Sequence, residues 1–73
     1  MSKKVHGLGV ASIIIVVDDE GTETGITSRL DQVMGKEQAD GMETLLLALA
    51  IDGVNVSSPK FVGSVRKAIQ SYQ

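Results

Sequence analysis

A run of five β-branched apolar residues, Ile13 to Val17, constrains the fold of this chain more than any other feature. Such residues favour extended backbone, and a run of this length suits a strand better than a helix. Successive side chains of a strand point to opposite faces, so the odd-numbered residues face one way while Ile14 and Val16 face the other. The run therefore predicts a strand that is apolar on both faces.

The segment after this run predicts a β-hairpin over residues 10–30. Glu20 and Gly21 have the composition of a turn, and residues 22–30 then alternate in a way that fits a second strand. Residues 28–35 fit either the end of that strand or a helical turn, because Leu30, Val33 and Met34 also have helical spacing. Residues 1–9 hold a His-Gly-Leu-Gly stretch and are expected to form a flexible arm.

Two helices are predicted in the second half, over residues 36–52 and 58–72. The first has apolar residues at i, i+3, i+4, i+7 and i+8, widened by Leu47 and Ile51, which predicts a helix covered over most of its circumference. Gly53 suits its C-terminal stop. The second starts with an N-cap serine followed by proline, and Gly63 in its middle suggests close approach of another backbone.

These elements predict a single α+β domain in which a hairpin is followed by two packed helices, in the order ββαα. Two short helices cover only one face of a sheet. Leaving Ile14 and Val16 in water forgoes about 1.5–3 kcal/mol of burial for each, and a two-stranded sheet is marginal by itself. We therefore expect a homo-oligomer, most simply a two-fold dimer, with Ile14 and Val16 at its interface. The alternative is that residues 1–9 fold back over both side chains.

Several function classes have little support in the sequence. With no cysteine and one histidine, His6, neither a metal site nor a cofactor is predicted, and no catalytic motif is present, so we expect a protein that is not an enzyme. The acids Asp18, Asp19, Glu20 and Glu23 are typical of a solvated hairpin tip. A net charge of −2 and two aromatic residues argue against nucleic-acid binding. The apolar run is too short to cross a bilayer and lacks a signal cleavage site, so a soluble, cytoplasmic protein is expected.

The start of the last helix is the candidate binding site. A helix N-terminus offers free N–H groups and partial positive charge, and basic side chains beside it would favour a phosphate or carboxylate. Capping and ordinary solvation are the alternative explanation for these residues. The candidate ligand- or partner-binding residues are Ser57, Ser58, Lys60, Arg66 and Lys67.

Residues 40–70 read DGMETLLLALAIDGVNVSSPKFVGSVRKAIQ. This segment resembles the C-terminal half of short, mostly uncharacterised accessory proteins of bacteriophages and mobile elements. In those proteins a leucine-rich helix closes on an acidic-Gly pair, a Val-x-Val-Ser linker and proline follow, and an amphipathic helix comes last. The resemblance implies an accessory role, such as blocking a host factor or sequestering a small signalling molecule.

The expected function is accordingly that of a small non-catalytic binding protein. Its partner is expected to be a host or defence protein that it binds and blocks. The first alternative is a homo-oligomer that sequesters an anionic small molecule such as a nucleotide. The second is a structural oligomerisation module without a ligand.

Overall fold

The computed structural model describes residues 3–20 and 23–72. A three-stranded antiparallel sheet is followed by a 3-10 turn and two helices, which confirms the predicted α+β class. The elements are β1 (Lys3–Gly7), β2 (Ile14–Asp18), β3 (Gly25–Thr27), the 3-10 turn (Leu30–Gln32), α1 (Lys36–Ile51) and α2 (Pro59–Gln70).

The β-branched run supplies the central strand. β2 pairs with β1 on one side and with β3 on the other. Ile15 of β2 lies opposite His6 in β1 and Ile26 in β3, and Val16 lies opposite Val5. Side chains in register share a face, so Ile15 and Ile26 lie on the inner face, toward α1, whereas Val5 and Val16 lie on the outer face.

The N-terminal segment corrects the predicted flexible arm, since residues 3–7 form β1. This stretch has only one strong strand former, Val5, so local propensity is weak there. Pairing decides the conformation instead, because β2 has a second edge whose backbone groups need partners. The alternative to an oligomer was that residues 1–9 fold back over Ile14 and Val16. Instead, β1 lies beside β2 in the sheet and does not cover Ile14. Residues 1 and 2 of the predicted arm lie outside the described residues.

A tight turn joins β1 to β2 and delays the start of the central strand from Val10 to Ile14. Gly9, Ala11 and Ser12 all have positive φ, at 72°, 50° and 52°. The Leu8 N–H donates to the Ile13 carbonyl at 3.1 Å, and the Arg29 N–H donates to the Ala11 carbonyl at 2.7 Å. The first bond closes the turn, and the second holds it against the segment that follows β3.

Beyond β3 the chain turns helical rather than continuing as a strand. Residues 30–32 form the 3-10 turn, so the open question over residues 28–35 resolves toward a helical turn. The hairpin tip predicted at Glu20-Gly21 involves Gly21, which lies outside the described residues.

Both helices end or begin with the expected capping residues. Gly53, just after α1, has φ of 94°, which suits a helix stop. The Ser58 side chain accepts a hydrogen bond from the Phe61 N–H at 3.3 Å, and Pro59 occupies the first turn of α2. A Cβ placed on Gly63 meets no described atom within 4 Å, so the backbone approach predicted there does not occur within the described chain.

The core lies between the inner face of the sheet and the two helices. Ile13, Ile15, Leu30 and Val56 are its most completely buried large side chains. The helices complete it with Ala39, Leu46 and Ala50 from α1 and Val62, Val65 and Ile69 from α2.

The outer face of the sheet carries apolar side chains that nothing in the described chain covers fully. Ile14 is 46% exposed and Val5 is 64% exposed, while Val16 between them is half-buried. The central strand is thus apolar on both faces, as predicted, and its outer face is partly exposed to solvent in the isolated chain.

Candidate functional site

A groove runs along α1 beside β3 and has an apolar floor. It encloses about 420 Å³. Its apolar lining comes from Ile26 of β3 and from Leu47, Ala48 and Ile51 of α1. The groove exists because β3 has only three residues and leaves the adjacent side of α1 without a covering strand.

The exposure of α1 corrects the prediction that it is covered over most of its circumference. Ile51 is 58% exposed at the groove, and Leu45 is 59% exposed away from it. Only three side chains of α1 are fully buried, of which Leu46 is the largest. The helix is apolar over more of its surface than the small sheet can bury, and the excess forms the groove floor.

Carboxylates line one end of this groove, and others line a separate depression next to its other end. Asp40 and Glu43 line it at the N-terminal half of α1, and a neighbouring depression shares both of them and adds Asp31 and Lys36. Ile51 at the other end also lines a third depression, which contains the hairpin acids Asp18, Asp19 and Glu20. The result is an apolar floor with carboxylates at one end and a second acidic depression next to the other.

Glu43 is held in place by a short chain of hydrogen bonds. The Ser28 hydroxyl donates to Glu43 Oε2 at 2.6 Å and accepts from the Leu30 N–H at 3.2 Å. A carboxylate oriented in this way loses little side-chain entropy when a cation approaches. The Thr44 hydroxyl, also in the groove, donates to the Asp40 carbonyl at 2.9 Å and so adds little polarity to the floor.

The open edge of β3 borders the groove. Backbone bonds of an antiparallel central strand alternate between its two neighbours. The Leu8 N–H donates to the Ile13 carbonyl, so by alternation Ile15 bonds to β1. The residues on either side of Ile15 therefore bond to β3, Ile14 at Thr27 and Val16 at Gly25. By the same alternation, the N–H and C=O of Ile26 point to the open edge.

The residues predicted as a binding site lie elsewhere, on and before α2. The Ser58 hydroxyl caps α2, and the Ser57 hydroxyl donates to Asn55 Oδ1 at 2.9 Å, so both have local partners. Lys60, Arg66 and Lys67 are exposed. None of these five residues lines the groove beside β3.

The hairpin acids take part in local interactions. Glu23 forms an ion pair with Lys3 across the outer face of the sheet. The hydrogen bond and charge of Glu23, with a smaller contribution from Asp18, raise the pKa of Lys3. The Glu20 N–H donates to Asp18 Oδ1 at 3.0 Å. Among residues 3–20 and 23–72, no three His, Asp or Glu side chains are grouped to hold a metal ion.

The sequence contains a signal for this groove on a side of α1 other than its main apolar face. Asp40, Thr44, Leu47 and Ile51 recur at i, i+4, i+7 and i+11, which places them along one side of α1. That side is acidic at one end and apolar at the other. The distance between this side of α1 and β3, which makes the groove, could be known only from the tertiary structure.

Comparison of the chain with protein-family models, with curated proteins and with solved structures gives no match. In the described part of the chain, no helix combines the length and apolarity needed to cross a membrane.

Proposed function

We propose that this is a small non-catalytic binding protein that captures a segment of a partner protein in the groove between β3 and α1. The observation that carries the proposal is the apolar floor of half-buried Leu47 and exposed Ala48 and Ile51, with carboxylates at one end and a second acidic depression next to the other. An exposed apolar groove with a polar rim is typical of a protein-interaction site.

The chemistry of the groove favours a basic, apolar and extended partner segment. Lysine or arginine side chains would meet Asp40 and Glu43 at one end and the hairpin acids at the other. Apolar side chains would cover Leu47 and Ile51. An extended backbone would use the outward N–H and C=O of Ile26, which is the mode called strand addition.

The resemblance to phage accessory proteins supports a host or defence protein as the partner. Binding of this kind blocks a target by occupying its surface, so it needs no catalytic group. The competing function, sequestration of an anionic nucleotide-like molecule, requires positive charge at a cavity. The groove beside β3 is lined by carboxylates, which disfavour such a ligand.

The test uses two short peptides, one alternating lysine with valine and one alternating glutamate with valine. We expect the lysine peptide to bind and to shift the backbone amide signals of residues 25–27 and 47–51 in NMR spectra. Binding should weaken with added salt because the acidic ends are exposed. The glutamate peptide is expected not to bind.

Two matched pairs of variants locate the binding surface. Ile51→Ser should weaken peptide binding about five- to tenfold, because it removes partly buried apolar contact. Leu45→Ser alters an equally exposed side chain of the same helix outside the groove and should have no effect. Asp40→Lys should weaken binding, whereas Glu37→Lys, also on α1 but outside the groove lining, should leave it nearly unchanged.

Equal effects within either pair would contradict the groove as the binding site. The same variants, immobilised as baits in host lysate, identify a natural partner. A host protein that is retained by the wild type and by Leu45→Ser but not by Ile51→Ser binds through the groove. Stabilisation by a panel of nucleotides, without peptide binding, would favour the competing function, since a ligand at a hundred times its dissociation constant adds about 2.7 kcal/mol.

A further inference from the structure

Val5 is the most exposed large apolar side chain among the described residues, and it lies on an edge strand. Proteins normally protect such edges with charged residues, bulges or a covering segment. The nearest charge on the same face, Lys3, is already paired with Glu23. Val5 and the half-buried Val16 beside it therefore form an apolar patch at an unprotected sheet edge, which a second strand would cover in part.

The backbone of β1 presents a row of hydrogen-bonding groups to this edge. The Leu8 N–H donates to the Ile13 carbonyl at 3.1 Å just beyond the end of β1, and bonded positions alternate along the β1–β2 ladder. His6 and Lys4 are therefore the β1 residues that bond to β2. The N–H and C=O groups of Lys3, Val5 and Gly7 point outward.

We infer that β1 pairs with β1 of a second copy, antiparallel, around a two-fold axis at Val5. This register brings every outward group of Lys3, Val5 and Gly7 opposite a partner. It places Val5 against Val5 of the second copy, which is a favourable cross-strand pair. It also places Lys3 opposite Gly7 and Lys4 opposite His6, so that no lysine faces a lysine.

Charge selects this register over its neighbours. A shift that sets Lys3 opposite Val5 brings Lys4 directly against Lys4 of the second copy, and like charges directly opposite are destabilising. The opposite shift sets Lys3 opposite Gly9, which lies beyond the end of β1, and so shortens the paired segment. The sequence of β1 is thus self-complementary at one position, as a two-fold interface requires.

The resulting assembly is a six-stranded sheet with β3 at both ends. On its outer face, Val16 and Val5 of one copy continue into Val5 and Val16 of the other, which joins two small apolar patches into one. The groove beside β3 is far from the two-fold axis and stays open in both copies. The inference is therefore independent of the proposed function.

Cysteine crosslinking tests the interface, because the chain has no cysteine of its own. Across a bonded antiparallel pair the Cα atoms are about 5.5 Å apart, within the range that a disulfide spans. With oxidised glutathione, which accepts the two electrons and two protons of the thiols, Val5→Cys should form a covalent dimer. Leu45→Cys, which is similarly exposed on α1, controls for random collision and should form no covalent dimer.

Ile14→Cys separates this arrangement from face-to-face packing of two sheets. Ile14 lies on the outer face but on the central strand, away from the proposed axis. Efficient crosslinking of Ile14→Cys with little at Val5→Cys would overturn the inference and assign the contact to the outer face.

Light scattering of the unmodified protein gives a second readout. We expect a dimer at micromolar concentrations and a rise of about tenfold or more in the dissociation constant for Val5→Pro. Proline there removes an N–H that points away from β2, so circular dichroism should show an intact fold. A wild-type monomer at these concentrations would overturn the inference, as would a ladder of larger oligomers, which indicates head-to-tail pairing of β1 with β3.

Discussion

Ala11 and Ser12 hold left-handed backbone in the turn between β1 and β2, with φ of 50° and 52°. Residues with a Cβ enter this region at a cost of roughly 1–2 kcal/mol. The bond from the Arg29 N–H to the Ala11 carbonyl keeps the turn in this shape. The strained turn is what brings β1 alongside β2 within so short a connection.

Replacing Ala11 by glycine relieves this cost but adds freedom to the unfolded chain. We expect Ala11→Gly to leave the free energy of unfolding unchanged or to raise it by up to about 1 kcal/mol. Ala48→Gly, at an exposed position inside α1, should lower it by about 1 kcal/mol. Urea denaturation measures both, and an equal loss in the two variants would show that the turn is not strained.

The ion pair between Lys3 and Glu23 predicts a raised pKa for Lys3. Because the folded pKa lies above the unfolded one, the pair stabilises the fold at neutral pH and stops doing so as pH rises through the pKa of Lys3. Glu23→Gln should lower the Lys3 pKa toward its ordinary value, as measured by NMR titration of the side chain. High salt should lower it in the wild type as well; no change in either experiment would contradict the pairing.

At the scale of elements, α2 starts with a cation where the helix dipole favours an acid. Lys60 lies in the first turn, which contains no acidic residue. Lys60→Glu is expected to raise the free energy of unfolding by a few tenths of a kcal/mol, since an acid suits that end of the dipole. Thermal unfolding of Lys60→Glu and of Lys67→Glu, near the other end, provides the comparison, because the second change should be unfavourable.

The same variants decide whether α2 contributes to binding. If Lys60→Glu and Lys67→Glu leave partner binding intact, the sequence-predicted site at Ser57, Ser58 and the basic residues of α2 is structural. Loss of partner binding in a variant that is at least as stable as the wild type would instead make α2 the contact surface. That outcome would count against the groove beside β3.

At the scale of the whole molecule, the two proposals combine into a bivalent protein. A dimer joined at β1 carries one groove at each end of its sheet. Linked sites bind an immobilised partner more tightly than a single site does, by roughly a hundredfold or more where the geometry permits. At a protein concentration where Val5→Pro is monomeric and the wild type is dimeric, we expect the wild type to dissociate from a surface coated with the lysine–valine peptide much more slowly than Val5→Pro.

The free peptide in solution provides the control for this comparison. It occupies one groove at a time, so its dissociation constant should be the same for the wild type and for Val5→Pro. A difference in solution would mean that the substitution disturbs the groove itself. Equal dissociation from the coated surface would argue against either the dimer or the paired grooves.

Local patterns in the sequence determined several elements of this protein. The β-branched run forms a strand because its residues prefer extended backbone, and its alternation placed Ile14 on the face opposite Ile13 and Ile15. Ser58 and Pro59 start α2 because a capping hydroxyl and a fixed φ act within a few residues. These preferences depend on sequence neighbours, so the sequence alone reveals them.

Only the tertiary structure decided how β1 and the groove are formed. Lys3 to Gly7 have little strand propensity, and they become a strand because β2 offers an unpaired edge. Leu47 and Ile51 looked like parts of a covered helix, and they line a groove because β3 is too short to reach them. Both outcomes depend on the lengths and positions of elements that are distant in sequence, which no local pattern encodes.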